Sequence, residues 1–179
     1  THGDPRAAVG AACIVRAIFI ALSEMFPARP HTPEYLIRAV MNEAIMAEQL
    51  LRYEGDVNGR LSHRLDLALS AEKNGGDLRC VSENVLDTIP FALAWFVRGL
   101  RQKTSAVTIM SMATITGHAG ASACALINAL CGATWGLGVM PERRLDGQLT
   151  KKAATLATRL CAAALTADPK ADPQKNPYF

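Results

Sequence analysis

From Gly117 to Gly138 the chain is made almost wholly of small and apolar residues. The stretch opens with Thr116-Gly117-His118-Ala119-Gly120-Ala121-Ser122, a glycine-rich turn, and runs on through Ala123 to Gly138. Ala is the strongest helix former, so the run reads as tightly packed helix. The turn before it places backbone N–H groups where a charged ligand can meet them. The same bias holds elsewhere. Half of the 179 residues are hydrophobic but only 6% are aromatic, and no run alternates apolar with polar at strand period. The expected fold is all-α, a compact orthogonal bundle of about seven helices.

Local punctuation divides the chain. Asp4 and Pro5 suit a cap and a first helical position, ahead of an apolar helix from about Arg6 to Phe26. Pro27 to Pro33 is a loop with a solvated His31. Thr32-Pro33-Glu34 starts a helix reaching about Tyr53. Gly55 to Gly59 breaks it. Asp56 and Asn58 there resemble the opening of a calcium loop but lack its later Glu, so a turn is expected. A helix over about Arg60 to Lys73 stops at Asn74-Gly75-Gly76. The next opens at Ser82 or Glu83 and carries Phe91, Leu93, Trp95 and Phe96 to Gly99. Pro90 is too deep for a first turn capped by Asn84, which predicts a kink or a start near Thr88. Helices over 102–115, 122–137 and 147–165 follow, with Met110 and Met112 as core residues and a turn over 141–146. Residues 1–166 are read as one domain and 167–179 as an extended or disordered tail.

Several functions are excluded or disfavoured by composition. A net charge of +3 with no long basic run gives no nucleic-acid footprint. Arg143-Arg144 and Lys151-Lys152 read as solvated faces. Cys13, Cys80, Cys124, Cys131 and Cys161 are an odd set without CxxC spacing, as expected of core thiols in a reducing compartment. No signal-peptide pattern and no uninterrupted membrane-length apolar span are read in the sequence. The expected setting is cytoplasmic, away from membranes.

Four segments resemble, in chain order, the ADP-ribosylglycohydrolase family. Thr1-His2-Gly3-Asp4-Pro5-Arg6-Ala7 is similar to the family's Thr/Ser-His-x-Asp/Asn-Pro-x-Ala turn. Glu83 to Leu93, with Phe96-Val97-Arg98-Gly99, resembles its Thr-Val-Pro-Ala-Ala-Leu and aromatic-Leu-x-Gly segment. Gly117 to Gly136 resembles the Gly-Gly-Asp-Thr-Asp-Thr helix start, and Val139 to Leu145 the closing Ile-Pro-Glu-Arg-Trp-Leu. The resemblance spans the carboxy-terminal half of that family's domain. It implies a helical domain completed by the other half on a separate chain, or by self-association, and a small-molecule substrate. It also implies a pair of Mg²⁺ ions, yet the family's two late aspartates fall on Ala119 and Ala121 and its Thr on Ser122. Hard cations need oxygen ligands, so metal-dependent chemistry is not expected and no cofactor is assigned.

What chemistry remains is read from the residues. His118 beside a helix N-terminus is either a neutral base or donor, or a capping or packing residue. Gly117 and Gly120 either admit a ligand to the backbone or only make the turn. Ser122 is an N-cap or a ligand contact. Glu83 and Asp87, four apart, share a helix face and are substrate-contact candidates. An N-terminal Thr carries a hydroxyl nucleophile and an α-amine base of pKa about 8. Thr1 is therefore the candidate nucleophile of an autoprocessed two-chain amide or acyl hydrolase. His2 or His118 would orient it, Asp4 would support it, and backbone N–H groups near Gly117 to Gly120 would form an oxyanion hole. Precursor cleavage and removal of an initiating Met are both open as the origin of that terminus. The alternatives are a catalytically inactive relative that binds a nucleotide or a protein partner, and an ADP-ribosylhydrolase.

Overall fold

Helix α4 (Val85–Gln102) is buried almost without interruption from Thr88 to Val97, and every other helix of the unit that contains it packs on it. The computed structural model describes residues 3–23, 32–115, 120–136, 147–148, 151–156 and 159. The other five helices are α1 (Pro5–Ser23), α2 (Pro33–Leu50), α3 (Leu61–Lys73), α5 (Ala106–Ile115) and α6 (Ala121–Trp135). All regular structure among the described residues is helical, which establishes the all-α class. The chain divides into two units, Thr1–Val139 and Met140–Phe179, and the first holds all six helices. In the second, residues 151–156 are helical, and Thr155 Oγ1 donates to the Lys151 carbonyl at 2.8 Å. The expected turn over 141–146 and the tail lie outside the described residues.

Helices α1, α2, α4 and α5 begin where nearby residues supply an acceptor for the first free N–H groups. Asp4 Oδ1 accepts from Arg6 N at 2.9 Å, with Pro5 at the first position of α1. Thr32 Oγ1 accepts from Tyr35 N at the start of α2. Asp56 Oδ1 accepts from Gly59 N at 2.7 Å and closes a 3₁₀ turn over Val57–Gly59, so this segment is a turn as expected. Helix α3 has no cap of its own, because Arg60 occupies the cap position. It takes one from α2: Glu48 is 6% exposed and accepts from Ser62 N and Ser62 Oγ. Helix α3 ends, as the glycines required, with Gly75 in the left-handed region at φ 70°.

Three boundaries differ from expectation. Asn84 does cap α4, accepting from Leu86 N at 3.0 Å, and Pro90 sits inside the helix. Pro90 cannot give an N–H to the Leu86 carbonyl. Its ring is buried instead, in a helix whose side chains fill the core, and packing outweighs the propensity cost. Helix α4 also runs past Gly99 to Gln102, where Lys103 turns left-handed at φ 51°. The next helix therefore starts at Ala106 rather than 102, with Ser105 Oγ accepting from Thr108 N. Met112 is 46% exposed rather than core, because it lines an open cleft beside α4.

The core runs from Val9, Cys13 and Ala17 of α1 through Leu36 and Val40 of α2 and Leu61 and Leu65 of α3. It continues through Phe91 and Phe96 of α4 to Ile127 and Leu130 of α6. Each large buried side chain here is worth about 1.5–3 kcal/mol relative to exposure. Phe96 meets the Trp135 ring edge-on at 6.0 Å, which ties α6 to α4. A Cβ on Gly10 would lie 2.6 Å from Val85 Cγ2, so α1 crosses the start of α4 at a distance that only glycine permits.

Helix α1 is apolar along most of its length. Its residues Pro5–Leu22 form a helix with a mean hydropathy of 1.7, long and apolar enough to cross a membrane by length and composition. Arg6 and Arg16 interrupt its apolar run. In this fold Val9, Cys13, Ala17 and Ile20 on the same helix are buried against the other helices.

Candidate functional site

The segment before α4 meets the N-terminal cap residue of α6. A Cβ on Gly120, the cap residue of α6, would collide with the carboxylate of Glu83, which lies just ahead of the α4 cap. Only the bare glycine backbone leaves room for that carboxylate. Gly120 offers no side chain to the first N–H groups of α6, and a negative charge at that end is favoured by the helix dipole. Cys80 belongs to the same junction. Its Sγ lies 3.2 Å from the Ser82 carbonyl. Burial raises the thiol pKa above its usual range, opposed by the Gly120 backbone N–H, while the Asp87 charge raises it further. Cys80 is therefore held as a neutral thiol rather than a thiolate nucleophile.

Asp87, in the first turn of α4, is fixed from two sides. Ser82 Oγ donates to its Oδ2 at 2.6 Å, and Arg64 of α3 approaches its Oδ1 at 3.4 Å. Arg64 Nε is buried without a hydrogen-bond partner. Beside this pair a cleft of about 200 Å³ runs between α3 and α4, bounded by Arg64, Leu67, Arg79, Asp87 and Phe91 among others. The cleft is thus lined by both apolar and charged side chains, a mixture suited to holding and orienting a small molecule.

The sequence candidates divide as follows. Gly120, Glu83 and Asp87 come to one end of the fold. Glu83 and Asp87 do not share a helix face as expected, because Glu83 precedes the cap and turns towards Gly120, whereas Asp87 faces Ser82 and Arg64. Ser122 is not the cap of α6. Gly120 takes that place, and Ser122 is exposed in the first turn. Asp4 is engaged by Arg6, which grips both of its oxygens. Thr1, His2, Gly117 and His118 lie outside the described residues. Arg64 was not singled out from the sequence, and Ser82 and Cys80 were read only as a helix start and a core thiol.

No family model, no curated protein and no solved structure matches this chain.

Proposed function

We propose that this chain is a metal-independent hydrolase on an ADP-ribosylglycohydrolase-like helical domain, with its small-molecule site at the junction of α4 and α6. The observation that carries this reading is the packing of the Glu83 carboxylate on Gly120. It joins two separate segments on which the family resemblance rests. Glu83 is the general-base candidate. It would take a proton from an attacking water, while N–H groups in the first turn of α6 stabilise the oxyanion that forms. Asp87, steadied by Ser82 and Arg64, would position the substrate. The Ala121 side chain has no oxygen to give a cation where the family has an aspartate, and the proposal routes no step through a metal. Thr1, His2 and His118 enter no step.

A second reading, a binding domain without catalysis, is favoured by one observation: both Asp87 oxygens are already engaged within the chain. Self-association or a partner chain belongs to either reading, supported by the apolar side chains of Met46, Leu50 and Ile115 left at the surface. Turnover separates the two. An ADP-ribosylated protein and a panel of chromogenic amides, incubated with the chain in EDTA, would be followed by mass spectrometry and absorbance. Product formation that Glu83→Gln abolishes supports the hydrolase. Product formation only with Mg²⁺ contradicts it, and binding without product favours the second reading.

A further inference from the structure

A second cleft, of about 240 Å³, lies where the last turns of α4 pass α5, away from the junction of α4 and α6. Its walls include Trp95, Arg98, Gln102, Thr108, Ile109 and Met112, and no acidic residue is among those that line it. Trp95 is 5% exposed, and its Nε1–H is buried with no hydrogen-bond partner. A buried donor left unpaired carries its full desolvation penalty, so it calls for an acceptor. Arg98 lies over the Trp95 ring at 5.0 Å, and one of its terminal nitrogens donates to the Gly76 carbonyl at 2.6 Å. That bond fixes the guanidinium while leaving most of its N–H donors unused. One fixed positive charge therefore borders a partly apolar cavity whose lining includes Trp95 and no carboxylate.

We propose that this cleft binds a small carboxylate with a flat apolar body. The carboxylate pairs with the free edge of Arg98, a charge-assisted geometry to which guanidinium is suited. The body lies against Ile109 and Met112. Trp95 forms part of the same wall, so filling the site changes the surroundings of its indole. This site is independent of the hydrolase reading, and uses none of its residues.

The test uses benzoate as the probe and benzamide as its neutral counterpart. The chain has two tryptophans, so a ¹⁵N-labelled sample shows two indole N–H signals, assigned with Trp135→Phe. Benzoate is expected to shift the Trp95 indole signal saturably. Benzamide, and benzoate on Arg98→Met, are expected to bind at least about tenfold more weakly, as loss of a charged hydrogen-bond partner requires. Arg98→Lys is expected to fall between. Because benzoate and benzamide are compared on the unaltered protein, the outcome does not depend on the variants folding. Equal binding of the two probes, or a Trp95 signal that does not move at tens of millimolar benzoate, would overturn the proposal.

Discussion

Glu48 of α2 caps α3 through Ser62: one carboxylate oxygen accepts from Ser62 N at 2.9 Å and the other from Ser62 Oγ at 2.6 Å. The cap is supplied from another helix, so its loss uncouples α2 from α3 as well as freeing an N–H. Glu48→Ala is expected to cost about 2 kcal/mol, the sum expected of a lost cap and an unsatisfied buried donor. Glu48→Gln, which keeps one acceptor, is expected to cost less. Urea unfolding checks this, with the midpoint shifting at constant slope.

Arg101 joins α4 to α2 and α3 by pairing with Glu34 at 3.2 Å and Glu72 at 2.9 Å. The two pairs are not equal, because the Glu72 side chain is 4% exposed and that of Glu34 is 62% exposed. Arg101→Met leaves Glu72 buried and unpaired, and is expected to cost about 3 kcal/mol. Glu34→Gln removes only a solvated pair and is expected to cost under about 1 kcal/mol. Chemical unfolding of the two variants side by side measures the ratio.

Alkaline stability follows from Cys13 and Cys131. Burial pushes both thiols from 9.0 up to about 12, and for Cys13 the charges of Glu43 and Glu48 add to it. The folded-state pKa is above the unfolded one, so the folded state holds its proton where the unfolded chain has lost it. The contribution is complete below about pH 9 and disappears as the pH rises to about 12. Stability is expected to fall through that window, and Cys13→Ala with Cys131→Ala is expected to flatten the fall. Unfolding curves at stepped pH give the slope.

At Gly120 stability and binding are expected to separate. A Cβ there meets the far end of the exposed Glu83 side chain, which can swing away. Gly120→Ala is therefore expected to cost under about 1 kcal/mol, the difference between Gly and Ala at a cap. It would nevertheless displace the Glu83 carboxylate from the start of α6. Thermal unfolding checks the first half of this statement.

Local chemistry made much of the fold legible. Thr32-Pro33-Glu34 and Asn74-Gly75-Gly76 mark boundaries within a few residues of themselves, and the structure places helix ends there. What failed depends on contacts distant in sequence. Pro90 argued for a later start to α4, but the burial of Phe91, Trp95 and Phe96 holds the helix through it. Glu48 was unremarkable as sequence because its partner Ser62 is on another helix. At the candidate site, Gly120 was legible as a turn and Glu83 as a carboxylate. Their contact was not, since nothing local to either residue fixes the approach of the two.

The most direct measurement is calorimetric titration of ADP-ribose in EDTA into the unaltered chain, Glu83→Gln and Gly120→Ala. The expected result is saturable heat without Mg²⁺, weakened at least about tenfold in both variants, as for loss of a charged contact. Binding that appears only when Mg²⁺ is added, or that is as tight in Gly120→Ala as in the unaltered chain, would contradict a metal-independent site where Glu83 meets Gly120.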